Sequence, residues 1–170
     1  MSRRQIVVMG VSASGKSTVA GSLARELGWP FAEGDDFHPE ANVHKMASGS
    51  PLTDEDRLPW LRSIRAWMTA QATEGHGSVV SCSALKRDYR AVLSEGPGQV
   101  TFVFLAIGQD ALEARLAERT GHFMPASLLE SQLQTLEVPG DDEDAIAVDA
   151  DQPASEIVAD ILSRLSPESP

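Results

Sequence analysis

Two hydrophobic periods alternate along the chain. From Gln5 to Met9 runs a short, largely apolar and β-branched stretch, which a Gly/Ser-rich turn interrupts. Val19, Leu23, Ala24 and Leu27 then recur at helical spacing until Gly28. The pattern predicts a strand, a loop and a helix in that order. Extended runs at Trp29–Ala32, Ser78–Cys82, Val100–Ala106 and Ala145–Val148 predict four further strands. Helical periodicity fills the intervals at about 40–48, 54–73, 86–94, 109–119, 126–136 and 154–165. Strands that alternate with helices form crossover units, so the expected architecture is α/β: a five-stranded parallel sheet in three layers, with helices on both faces. Ligands of such sheets bind beyond the carboxyl ends of the strands. No repeat, low-complexity tract or long Pro/Gly/Ser linker divides the 170 residues, and one domain over 1–170 is predicted.

Composition narrows the function. The longest apolar run, around Val100 to Ile107, falls far short of the ~20 residues that cross a bilayer. The stretch behind Arg3 and Arg4 ends too soon for a signal sequence. The lone Cys82 excludes an intrachain disulfide and fits a reducing compartment, so a cytoplasmic chain without a membrane partner is expected. The net charge of −11 argues against nucleic acid as a partner. Its distribution is uneven: 13 basic and 14 acidic residues run through Arg119, and only Arg164 faces 11 carboxylates after it. An anion site is therefore expected in the first two thirds, and the acidic last third reads as a solvated surface.

The strongest chemical signal is Gly10-Val11-Ser12-Ala13-Ser14-Gly15-Lys16-Ser17, a complete G-x-x-x-x-G-K-[ST] between a predicted strand and a predicted helix. Glycines at both ends let the backbone fold around a phosphate, so that N–H groups and the positive helix end face the anion. Lys16 is suited to the β- and γ-phosphates and Ser17 to Mg²⁺. These residues together with Thr18 form the candidate ATP site. No Asn-Lys pair occurs anywhere, which removes the base-reading motif of a GTPase. The short chain then favours a small phosphotransferase.

Phosphoryl transfer to an alcohol needs a carboxylate to orient the hydroxyl and take its proton, and a second acidic group near the metal. Glu33 and Asp35, two apart after the second predicted strand, are the candidates, on the expectation that an extended chain turns both to one side. A solvated acidic loop is the plainer alternative. His38, His44, Lys45, Arg57, Lys86, Arg87 and Arg90 supply cations for a carboxylate-bearing or polyhydroxy substrate, although each taken singly reads as a surface charge. His76, between two glycines, reads as solvent-facing. Trp60 and Trp67, seven apart, read as packing residues. Arg115 and Arg119 share a helix face; spacing alone leaves open a helical flap over the triphosphate or a simple pairing with the helix dipole.

Over nearly its whole length the chain resembles the small bacterial gluconate kinases of the P-loop nucleoside-monophosphate-kinase-like group. The most specific stretch runs from Glu33-Gly34-Asp35-Asp36-Phe37-His38-Pro39 through Asn42, Lys45-Met46, Gly49, Pro51-Leu52, Asp54, Asp56-Arg57 and Pro59-Trp60-Leu61. Cys82-Ser83-Ala84-Leu85-Lys86 with Tyr89 and Arg90, Arg119-Thr120-Gly121-His122-Phe123, Ser131-Gln132, Leu136-Glu137 and Val148-Asp149 extend it. The resemblance implies a P-loop NTPase fold with a helical lid at about 119–137. It implies transfer of the γ-phosphoryl group of ATP to the 6-hydroxyl of D-gluconate, with Mg²⁺, in a homodimer. Asp35 becomes the base, beside Lys16 and Arg119 as catalytic groups, and Glu33 joins Ser17 near the metal. His38, Lys45, Arg57, Lys86, Arg90 and His122 fall on the gluconate side. Arg115 and Arg119 become lid arginines, and Gln152 and Pro153 fall near the adenine. Two departures stand out: many members carry Asp where this chain has the longer Glu33, and Ser81 and Ser83 stand at the end of the third strand where a Walker-B carboxylate would sit. Shikimate kinase shares the scaffold but would carry a glycine triplet after the third strand, which is absent. Another small-metabolite kinase remains an alternative. A non-catalytic nucleotide-binding regulator would have lost the acidic loop or the arginines.

Overall fold

The computed structural model describes residues 4–11, 14–96, 98–118 and 126–165. Its elements follow the hydrophobic periods: β1 (Gln5–Met9), α1 (Lys16–Leu27), β2 (Phe31–Glu33), α2 (Glu40–Ala47), α3 (Asp54–Thr73), β3 (Ser78–Ser81), α4 (Arg87–Leu93), β4 (Val100–Ala106), α5 (Gln109–Glu118), α6 (Ala126–Thr135), β5 (Ala145–Asp149) and α7 (Ala154–Leu165). Strand β2 begins two residues later than its apolar run predicts. The cause lies in the end of α1, where Gly28 turns left-handed (φ 70°) and the N–H groups of Gly28 and Trp29 bond back to the last helical carbonyls. Trp29 therefore still serves the helix, and Pro30 has no N–H to give a sheet.

The five strands lie in the order β2-β3-β1-β4-β5, every pair parallel. Strand β1 is central and fully buried, and its side chains divide by parity. Ile6 and Val8 join Val19, Leu23, Ile157 and Ile161 under α1 and α7. Val7 and Met9 join Trp60, Leu61, Ile64, Met68, Tyr89 and Leu93 under α3 and α4. Burying a large side chain on either face contributes about 1.5–3 kcal/mol, which accounts for the alternation. A smaller cluster of Val11, Leu85 and Leu112, with Leu133 and Leu136 packed against it, fastens the C-terminal end of α6 to the loops that follow β1 and β3. Arg119, expected as a lid arginine, and the rest of 119–125 lie outside the described residues.

Because the strands are parallel, the loops after β1, β2, β3 and β5 emerge at one edge of the sheet. Two backbone devices bring them close. The N–H of Gly10 donates to the carbonyl of Ser83 at 3.3 Å, joining the β1 and β3 loops. Gly34, directly after β2, approaches Ser81 so closely that a Cβ there would lie 2.1 Å from the Ser81 carbonyl oxygen.

Candidate active site

The phosphate loop leaves β1 and enters α1 at Gly15, whose φ of 96° lies in the left-handed region open to glycine. Lys16 is thus the first helical residue. Its Nζ folds back to donate to the carbonyl of Val11 at 3.0 Å, an oxygen that also accepts from the buried Ser14 hydroxyl at 2.7 Å. Arg115 reaches in from α5: a Cβ on Gly15 would stand 3.7 Å from its Nη1, and its Nη2 donates to the carbonyl of Ala150 at 2.6 Å. That bond ties α5, beside Gly15, to the turn after β5. There the Gln152 amide donates to the Asp149 carbonyl at 2.7 Å, and the Pro153 carbonyl starts α7. Ser12, Ala13, Arg119 and His122 lie outside the described residues. Thr18 is exposed on the first turn of α1.

The acceptor loop is held from three sides. Glu33 accepts from the Ser17 hydroxyl at 2.7 Å and from the Ser81 hydroxyl through the same Oε1. The Gly34 N–H donates to Ser81 Oγ, and the Gly34 carbonyl accepts from the buried indole of Trp60 at 2.7 Å. Extended alternation does not continue to Asp35, because the chain coils into a 3-10 turn over Gly34–Phe37. Asp35 is exposed on that turn. At the exit of β3, burial pushes the Cys82 thiol up to about 12. The thiol is no nucleophile. The Ser81 hydroxyl, at the end of β3, receives a carboxylate from β2 instead of providing one.

His38 stacks on Trp60 with centroids 4.2 Å apart and planes 12° from parallel. The Asn42 amide reaches His38 Nδ1 at 3.2 Å and the Asp56 carbonyl at 2.9 Å. Burial lowers the His38 pKa below its ordinary value, with Asp35 opposing and Arg57 assisting. The imidazole is therefore neutral at pH 7, accepts at Nδ1 and offers Nε2–H. Trp60, expected only to pack, both packs and positions the acceptor loop.

The predicted anion grip divides into two groups. Lys45 pairs with Asp56 at 2.6 Å, an acid that also completes the capping box of α3 with Thr53 and is held at about 2, chiefly by the Lys45 hydrogen bond. Arg57 and Lys86 converge on Tyr89, with charges 5.4 and 5.6 Å from its ring centre. Arg90 is different. It is 1% exposed, its Nε and Nη2 grip Glu143 at 2.6 and 3.1 Å, and its Nη1 donates to the carbonyls of Ala84 and Leu85. The expectation that Arg90 grips substrate is corrected: its donors are spent inside the protein, where they hold the left-handed Ala84 (φ 45°) at the exit from β3. The acidic last third is likewise more than solvated surface. Asp142 pairs with Arg87, Glu143 with Arg90, and Asp144 accepts from Thr101.

Glu143→Gln is expected to cost about 1.5 kcal/mol at pH 7, because a charge-assisted bidentate pair becomes a contact with a neutral acceptor. The bond from Arg90 holds Glu143 below the usual glutamate range. Its contribution is present above the unfolded-state pKa and is lost as pH falls through the lowered folded value. Thermal melts of parent and variant should converge in strong acid, and a gap constant with pH would overturn the pairing.

Two loops that suit a phosphate and an acceptor alcohol thus meet at one sheet edge, and comparison with known proteins agrees. The family described as "AAA domain" matches residues 6–139. A gluconokinase of Gluconobacter oxydans is 50% identical over 165 residues, 97% of this chain and 93% of that one. The chain belongs to the gluconokinase family. A solved gluconokinase from Sinorhizobium meliloti superimposes on this family member with a TM-score of 0.85 at 50% identity, covering 96% of this chain and 91% of that one. The shikimate kinase of Aquifex aeolicus shares the fold alone, at 20% identity and a TM-score of 0.60 over 96% of each chain. The resemblance read from the acceptor loop is borne out, and so is the five-stranded P-loop kinase fold.

Proposed function

We propose that the chain transfers the γ-phosphoryl group of ATP to the 6-hydroxyl of D-gluconate, giving ADP and 6-phospho-D-gluconate. The observation that carries this reading is the junction at Ser17, Glu33 and Ser81, which sets the acidic acceptor loop against the start of α1. Lys16 and the α1 N-terminus take the β- and γ-phosphates, and Arg115 beside Gly15 offsets negative charge there. Asp35 orients the 6-hydroxyl and accepts its proton as the new O–P bond forms and the bond to the β-phosphate oxygen breaks. Neutral His38 offers a donor to a sugar hydroxyl, and Arg57 and Lys86 take the carboxylate. Gln152 and Pro153 border the adenine, and Lys45, His122 and Arg119 complete the site on the strength of the family resemblance.

The donor set also fits Mg²⁺. Ser17 and Glu33 present hard oxygens in mutual contact, and among the described residues no cluster of three or more His, Cys, Asp or Glu side chains forms a cage. Such a site suits an ion that keeps its waters and nucleotide oxygens. When bound there, the ion neutralises charge on the phosphates. Cytoplasmic placement is part of the proposal and rests on the lone Cys82. A homodimer follows from the resemblance, and sedimentation is its test.

The reading is tested by coupled ADP release over a panel of sugars and sugar acids. A neutral sugar brings no carboxylate to Arg57 and Lys86 and so forgoes charge-assisted hydrogen bonds worth about 1.5–3 kcal/mol, or roughly tenfold or more. Gluconate should therefore exceed glucose in kcat/KM by at least about tenfold. Equal efficiencies would overturn the reading.

A further inference from the structure

The first turn of α3 carries two acids in different employment. Asp56 caps the helix with Thr53 and holds Lys45. Asp54, at the first helical position, turns instead toward the far side of the site. Its carboxylate accepts from the Tyr89 hydroxyl, and its two oxygens lie 2.9 and 3.2 Å from Lys86 Nζ. The Tyr89 hydroxyl in turn accepts from Arg57 Nη1 at 2.7 Å. One carboxylate thus holds an ammonium and a hydroxyl directly, and a guanidinium through that hydroxyl. The Tyr89 and Lys86 hydrogen bonds lower the Asp54 pKa, and the Asp54 bond raises that of Lys86, so both stay ionised across the working range of pH.

We propose that Asp54 is an internal stand-in for the substrate's carboxylate: it fills the Lys86–Tyr89–Arg57 anion site while no sugar acid is bound, and withdraws when one arrives. This rests on the sugar-acid reading above. The donors are those a sugar carboxylate needs, and Asp54 meets them with the same functional group. The Asp54 side chain is 62% exposed, so it can swing into water at small cost. Two carboxylates cannot share these donors without like-charge repulsion, so binding is an exchange of one for the other. The exchange keeps the cations paired in the empty enzyme, and it takes a charged competitor to drive it. It also weakens binding of the true substrate. Asp54 therefore acts on KM more than on kcat.

The test is gluconate-dependent ADP release by the parent, Asp54→Asn and Asp54→Ala at saturating ATP, with a thermal melt of each. In both variants KM for gluconate should fall roughly fivefold while kcat changes less, and the melting temperature should stay close to the parent's. An unchanged KM overturns the proposal. A KM that rises with a lowered melting temperature also overturns it, and identifies Asp54 as a brace for Lys86 and Tyr89. A parent that releases no ADP with gluconate overturns the sugar-acid reading and this inference with it, which separates the two failures.

Discussion

Replacing Asp35 with asparagine is expected to lower kcat by between about 10² and 10⁴ while leaving KM for ATP nearly unchanged. The amide keeps the size of the side chain and the hydrogen bond that orients a hydroxyl, but it cannot accept a proton. Asp35 is exposed on the 3-10 turn after β2, one residue past Gly34, which is held against Ser81 of β3. Its exposure on the turn next to Glu33 leaves the carboxylate open to an acceptor hydroxyl. Its neighbour Glu33 accepts from Ser17 and Ser81 at the start of α1 and the end of β3, so the two acids are not interchangeable. Steady-state kinetics at varied ATP and gluconate give the answer. A kcat within tenfold of the parent would remove Asp35 from the proton-accepting role.

The parts of this site that were legible in the sequence are those built from neighbours along the chain. The strand before the glycine turn and the helix that Lys16 opens specify their own geometry, and the structure has β1 and α1 in those places. Glu33 near Ser17 followed from parallel topology, since the loops after parallel strands emerge at the same edge of the sheet. The misreadings arose where a distant residue decides. Arg90 looked like a free surface cation because its partner, Glu143, lies 53 positions later and arrives only when β5 pairs with β4. Asp35 was given the alternation of a strand because nothing local announces the 3-10 turn, which the bond from Trp60 to the Gly34 carbonyl holds in place. Asp54 entered only as one position of the family-like stretch, and its contact with Tyr89 depends on a residue that comes from another helix. Ser81, noted as a missing Walker-B acid, proves to be the hydroxyl that steadies an acid supplied by β2.

Gly34→Ala should be the most damaging single-methyl change in this molecule. The added Cβ would stand 2.1 Å from the Ser81 carbonyl oxygen, 3.1 Å from the Ser81 carbonyl carbon and 3.2 Å from Cys82 Cα. All three are backbone atoms of β3 or its exit, so no side chain can rotate away, and the end of β2 must part from β3. That displacement loosens Glu33 from Ser81 and Ser17, and Trp60 from the Gly34 carbonyl. Overpacking that forces backbone shifts costs about 3 kcal/mol, which for a domain of this size lowers Tm by roughly 6–12 °C. Because Gly34 lies between Glu33 and Asp35, kcat/KM should drop even well below the new Tm, separating misplacement of the acids from unfolding. Gly21→Ala is the control: Gly21 lies within α1, a Cβ there meets nothing within 4 Å, and the change should stabilise by about 0.5–1 kcal/mol through helix propensity. A Gly34→Ala protein that melts within about 2 °C of the parent and retains its activity would mean that β2 and β3 do not approach as closely as Gly34 and Ser81 indicate.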